Sequence, residues 1–217
     1  MFTCYAKTII LGLALIVFYG ISFIPLLLLR PYLQLDQFLI SALLWGVISL
    51  LSLPFFLRHL IRQVWFFKGR NESIPQGLME DKLMKINTFN SPVYVRKKRK
   101  KILVGWRCKE PEWSERMAIK GLKKCYFIKL KFNQETRTVS MIDRVRYANF
   151  DLSPVKVQTS WLARPVLYCR VQFDSEQDYN IFNNKDAEEY LFKPQELKTP
   201  LVNTFINNGW NVRFDLF

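Results

Sequence analysis

The sequence predicts an α+β protein: an N-terminal two-helix transmembrane hairpin, then a cytosolic, mainly antiparallel β domain with a C-terminal helix and a final strand. Three observations lead there. Two apolar stretches, 8–29 and 38–57, carry no charged side chain. Residues 125–132 then alternate apolar and charged with period two, the signature of a half-buried strand. A four-residue apolar rhythm runs through KPQELKTPLVNTFINNG at 193–209, directly before a second alternating run.

Each apolar stretch reaches the length of about 20 helical residues that crosses a hydrocarbon core. In lipid, a helix satisfies its own backbone groups. The first stretch is too long for a signal-peptide core and ends in Leu-Leu-Leu-Leu-Arg-Pro rather than in small residues. The loop at 30–37 is short, which makes the pair a membrane hairpin. Lys7 precedes the first span, and Arg58, Arg62, Lys68 and Arg70 follow the second, while the loop holds only Arg30 and Asp36. The positive-inside rule places both termini in the cytoplasm. The second helix is expected to continue at the interface over 58–68, with Trp65, Phe66 and Phe67 as an aromatic belt. Pro25 and Pro54 are candidate kinks, and Ala42 and Gly46 form a small pair suited to close helix approach and a homo-oligomer.

The division into 1–69 and 70–217 follows from Gly69, Pro75 and Gly77, which punctuate the chain after the hairpin. Residues 78–86 suit a short linker helix. Pro111 fits the first position of a helix and Gly121 the residue after its end. In 125–132, Tyr126, Ile128, Leu130 and Phe132 face one way, with Lys129 and Lys131 opposite. Asn-Gln-Glu-Thr at 133–136 turns the chain, and 137–147 returns it as a hairpin. Further strands are expected at 155–161 and 166–173, with a break at Pro165. Leu197, Leu201 and Phe205, with Val202 and Ile206 as a second row, mark an amphipathic helix closed by Asn208 and Gly209. Trp210, Val212, Phe214 and Leu216 alternate in the final strand. Two or three helices would pack on one face of the sheet.

Charge is uneven. The chain carries a formal +14, and from Lys68 to Lys131 there are 18 Lys plus Arg against 6 Asp plus Glu. From Phe132 onward the counts are 10 and 11. At the centre of the basic half stands Arg96, Lys97, Lys98, Arg99, Lys100, Lys101. A juxtamembrane Lys or Arg is worth roughly 1 kcal/mol against an anionic leaflet. These six, with Arg58, Arg62 and Lys68, are therefore the candidate contacts to anionic headgroups. Two other readings use the same charge. One is a hairpin tip or edge strand solvated by lysines, which discourages edge-to-edge aggregation. The other is nucleic acid, with Trp106, Trp113 and Tyr126 available for base stacking.

Chemistry for catalysis is sparse. The single histidine, His59, sits at the membrane boundary beside two arginines. No Walker A, G-x-G-x-x-G, G-x-S-x-G or H-E-x-x-H pattern occurs. Asp186, Glu188 and Glu189, and Asp174, Glu176 and Asp178, read as solvated turns; the second group lacks the glycine and distal glutamate of an EF-hand loop. No metal, cofactor or catalytic residue is expected. Cys108, Cys125 and Cys169 would face a reducing cytosol as free thiols, and Cys4 lies at the N-terminus. Without charged residues in the spans, a channel or transporter acting alone is disfavoured. The expected role is interaction: an adaptor, scaffold or subunit of a membrane assembly with an unidentified protein partner. The alternative is a membrane-tethered nucleic-acid or nucleotide sensor, as in bacterial defence; a membrane-surface enzyme ranks last.

The run YLFKPQELKTPLVNTFINNGWNVRF at 190–214, with CYFIKLKFNQETRTVSMID at 125–143, resembles the C-terminal part of uncharacterised bacterial membrane-anchored proteins. The resemblance covers roughly 90–217. It implies a strand, a helix and a closing strand, and a bacterial inner-membrane location. It implies no activity and supplies no catalytic residue.

Overall fold

The computed structural model describes residues 2–99, 101–149, 156–158 and 178–215. Lys100, the predicted strand at 166–173, most of that at 155–161, Cys169, and Asp174 and Glu176 lie outside the described residues. The chain divides into two compact units, Met1–Trp65 and Phe66–Phe217.

The first unit is a helical hairpin. Helix α1 (Phe2–Leu29) leads through a 3₁₀ turn at Arg30–Tyr32 into α2 (Leu35–Val64). Both helices are long and apolar enough to cross a membrane, which is consistent with anchoring. Pro25 and Pro54 lie inside continuous helices. Gln34 starts α2, its backbone N–H donating to Gln37 Oε1 at 3.4 Å. Between the helices, Tyr19 Oη and Ser52 Oγ are 2.6 Å apart, and the Trp45 indole donates to Ser22 Oγ at 3.3 Å. Lower down, Trp65 donates to Thr8 Oγ1 at 3.2 Å and meets Tyr5 edge-on at 5.0 Å. A Cβ on Gly46 would meet nothing within 4 Å, so Gly46 does not mediate the α1–α2 approach.

The expected helical continuation over 58–68 is present to Val64, where α2 stops; its end is corrected, because Phe66–Phe67 form strand β1. Paired antiparallel with residues near the C-terminus, Phe66 lies opposite Arg213 and Phe67 opposite Val212. Backbone pairing over that sequence distance outcompetes continuation of the helix, and no local pattern announces it.

The second unit combines a mixed sheet with helices. Its further elements are α3 (Gln76–Met84), β2 (Val93–Lys98), β3 (Lys101–Trp106), α4 (Pro111–Ile119), β4 (Lys124–Asn133), β5 (Thr138–Asn149), β6 (Lys156–Gln158), α5 (Ile181–Asn184), α6 (Pro194–Asn207) and β7 (Asn211–Asp215). The strand order is β1-β7-β5-β4-β3-β2, with β6 also pairing with β5. All described pairs are antiparallel except β5–β7, which is parallel. A parallel neighbour needs a crossover, and α6 lies on it. The predicted helix starting at Pro111, the β4–β5 hairpin and the final strand are all present, and Gly121 takes φ 65° after α4.

One face of the sheet is the core. Val93, Val95, Ile102, Val104, Trp106, Tyr126, Ile128, Leu130, Val139, Met141 and Val212 are buried there. Helix α6 packs on this face, its Phe205 ring 5.9 Å from Phe132. The sequence expectation of an amphipathic helix with a solvated side is corrected: every residue from Leu197 to Ile206 is buried. The second side is covered by chain that reads as polar linker. Tyr179 N–H donates to Thr204 Oγ1 at 2.9 Å, Arg70 N–H to Ile206 O at 3.0 Å, and Ile74 N–H to Asn208 O at 3.2 Å. Lys198, the basic residue of this helix, is 2 % exposed and pairs with Asp143 at 2.7 Å. Asp143 also accepts from Tyr126 Oη at 2.7 Å, and the Lys198 ammonium lies 3.9 Å from the centre of the Phe214 ring.

Residues 69–74 cross the α6–β7 turn at backbone contact. A Cβ on Gly209 would lie 2.4 Å from Asn71 O, and Gly209 has φ 75°. Both facts require glycine there.

The expectation of free thiols is also corrected. Cys108 and Cys125 are joined by a disulfide, with Cα atoms 6.3 Å apart. The β3–β4 register sets Gly105 opposite Phe127, which brings Cys108, two residues past β3, near Cys125, the second residue of β4. A separation of 17 residues, outside any short motif, conceals this in the sequence.

Replacing Lys198 by Met leaves the Asp143 carboxylate buried alone and should cost about 3–5 kcal/mol. Lys198→Met/Asp143→Leu should recover at least half of that loss, measured by urea unfolding of the full chain in detergent with tryptophan fluorescence. Gly209→Ala should cost about 1–3 kcal/mol in the same assay, since strain and overlap coincide. Equal midpoints for Gly209→Ala and the unaltered chain would refute the close approach.

Candidate anion-binding face

The basic block forms the tip of a hairpin. In β2–β3, Lys98 stands opposite Lys101, and Arg99 takes φ 53° in the turn between them. Strand β2 is the sheet edge. Its inner part is already covered: the Asn87 side chain both donates to Val95 O and accepts from Val95 N–H, each at 2.8 Å, and Arg107 Nε donates to Val93 O at 3.0 Å. Beyond these clamps the edge continues as Arg96, Lys97, Lys98 and Arg99, all exposed, with Lys101 returning beside them.

Strand alternation then splits the block. Val93 and Val95 face the core, so Lys97 lies on that side of the sheet. There it pairs with Glu80 of α3 at 2.5 Å. The hydrogen bond and charge of Glu80 raise the Lys97 ammonium above its usual range. Glu80 in turn lies below the carboxylate range: burial opposes this, but hydrogen bonds from Lys97 and Gln76 prevail. Lys97 is thus partly committed to the fold, unlike its neighbours in the block. Arg96, Lys98 and Lys101 point to the opposite face. Arg58 and Arg62 belong to α2 of the helical unit, and Lys68 is exposed just after β1 in the sheet unit.

On that opposite face, residues missed as site candidates by the sequence reading join the block. Across three strands the register aligns Lys98, Lys101 and Lys131 in one row. The next row holds Arg96, Leu103, Lys129 and Ile142; the next brings Tyr94, Gly105, Phe127 and Arg144. Arg146 follows on the same face, its guanidinium 4.7 Å from the Phe127 ring centre. The signal was present in the alternation of Lys129 and Lys131, but only the register shows that they adjoin the block.

Like charges opposed across strands destabilise a sheet. The effect is visible at Lys129, whose ammonium is held below the usual lysine range by burial first, then by Lys101, Lys131 and Arg144. Tyr94 is shifted upward by burial, against the pull of Arg146 and Arg96. The aromatics that suggested base stacking lie elsewhere: Trp106, Trp113 and Tyr126 are all buried.

No known protein family, curated protein or solved structure matches this chain.

The Lys129 shift has a definite sign. Below its usual value of 10.5 the unfolded chain holds the Lys129 proton more tightly than the folded one. Folding stability therefore gains from this group as pH rises from the lowered folded value toward 10.5, and the cost of charging it is fully present below that window. The unfolding midpoint should accordingly climb relative to that of Lys129→Gln across the alkaline range. Two parallel curves would show that neither burial nor the cationic neighbours hold Lys129 below its usual range.

Proposed function

We propose that this chain is a membrane-anchored interaction protein, an adaptor or a subunit of a membrane assembly, whose sheet unit is held on anionic headgroups by the β2–β3 tip. The observation that carries this reading is the exposure of Arg96, Lys98, Arg99 and Lys101 on the part of the edge that lies beyond the Asn87 and Arg107 clamps. In the chain, Trp65 alone separates the end of α2 from the start of β1. Each exposed cation near an anionic leaflet adds roughly 1 kcal/mol. No catalytic step enters the reading.

The inner membrane of a bacterial cell, with both termini cytoplasmic, is the location that fits the flanking charges and the resemblance of 190–214. The disulfide makes the opposite demand, because such bonds persist in oxidising compartments. Charge is the better guide to orientation. It acts during insertion, through Lys7 on one flank and Arg58, Arg62, Lys68 and Arg70 on the other. A green fluorescent reporter at the C-terminus should light up, and an alkaline phosphatase reporter there should stay inactive. Phosphatase activity would overturn the orientation.

Flotation of residues 66–217 with vesicles tests the lipid role. The fragment should float with phosphatidylglycerol and not with phosphatidylcholine, and should be released by salt. Replacing Arg96, Lys98 and Lys101 together by Gln should weaken binding about 100-fold, from roughly 3 kcal/mol of lost attraction. Lys97→Gln should do much less, because Glu80 already holds that ammonium. Equal flotation of the triple variant and the unaltered fragment would end the proposal.

A further inference from the structure

We infer that Lys101, Lys129, Lys131 and Arg144 form a discrete binding site, on the face of the sheet opposite α6, for a compact ligand bearing two or more phosphoryl groups. The inference goes beyond the lipid reading, since three of these residues lie outside the 96–101 block and on other strands.

Register places the four side chains together. Lys101 is directly opposite Lys131. Lys129 faces Leu103 and Ile142, so Lys101 and Arg144, two residues from these partners, are its diagonal neighbours on the same face. Directly opposed Cβ atoms in a sheet lie about 5 Å apart and diagonal ones about 7–8 Å, within the reach of lysine and arginine stems. Among the described residues, none of the four carries an ion pair with a carboxylate, and Asp143, beside Arg144 in sequence, points to the opposite face to meet Lys198. The fold thus concentrates four cations where the sheet would be more stable with fewer.

The chemistry narrows the ligand. A single carboxylate would leave most of this charge uncompensated. Two linked phosphoryl groups offer several acceptor oxygens to lysine ammoniums, each with three donors, and to the guanidinium fork. Leu103, half-buried between Arg96 and Lys129 in its row, gives the site a partly apolar floor. Two sources supply such a group: a multiply phosphorylated lipid headgroup and a soluble di- or oligophosphate.

The test uses the full chain in nanodiscs of phosphatidylcholine, titrated with inorganic pyrophosphate by calorimetry. One site should appear, with orthophosphate at least tenfold weaker. Lys129→Gln and Lys131→Gln should each weaken pyrophosphate about tenfold, in line with loss of one charge-assisted hydrogen bond. Lys98→Gln, at the tip, should change it less than about threefold. Thermal unfolding separates a lost site from a lost fold: Lys129→Gln should melt no lower than the unaltered chain, and pyrophosphate should raise only the latter's midpoint. Nanodiscs doped with a bisphosphorylated inositol lipid distinguish the sources. A tenfold loss of pyrophosphate affinity in them supports the site with lipid as its occupant; unchanged affinity supports it with a soluble one. Pyrophosphate binding no tighter than sulfate at equal ionic strength would overturn the inference. So would equal losses in the tip and face variants, or a single-stranded oligonucleotide binding more tightly than pyrophosphate with both variants impaired alike.

Discussion

The side-chain alternation of β4 is the constraint from which the rest follows. Ile128 and Leu130 have no exposed surface, because the sheet's core face must meet α6. Once they are fixed, Lys129 and Lys131 have only the other face to occupy. A slip of one residue would exchange the two sets and bury two ammonium groups, at a cost of several kcal/mol each. The cationic face is therefore the necessary complement of the apolar one. Its charge accumulates as β3 and β5 add Lys101, Arg144 and Arg146 with the same phase.

Local patterns revealed most of the helices and strands, and for physical reasons. The membrane spans are legible because length and apolarity alone decide them. Helix α4 is legible because Pro111 and Gly121 act within one turn of its ends. The β4–β5 hairpin is legible because its pairing is local and its alternation clear. What sequence could not show depends on distance along the chain. Phe66 and Phe67 read as interfacial aromatics until β7 offers them a strand to pair with. Lys198 reads as a solvated helix residue until Asp143, 55 positions away, gives it a buried partner. Helix α6 looks amphipathic because a period of about four marks one buried side and is silent about a second layer.

The candidate site shows the same division. The run of six cations is conspicuous in the sequence, yet its linear form misleads. The strand turns within it, and Lys97 is drawn to the core side by Glu80 while Arg96, Lys98 and Lys101 go to the other. Lys129, Lys131 and Arg144, scattered in sequence, complete the surface because hydrogen-bonded register brings them into adjacent rows. A linear charge count therefore finds the basic stretch but does not show which cations share a face of the sheet.

A like-charge surface also needs its register held against slippage by two residues, which would keep the faces but shift the rows. Two devices oppose that. Asn87 grips both backbone groups of Val95, fixing β2 from its free edge. The Cys108–Cys125 bond fixes β3 against β4 at the end remote from the tip. Lys98, Lys101 and Lys131 lie at the opposite end of the same strands, where repulsion favours fraying. Under the proposed reading, restraint at one end and repulsion at the other would let a diffuse electrostatic contact at the tip and a discrete anion site around Lys129 share one sheet.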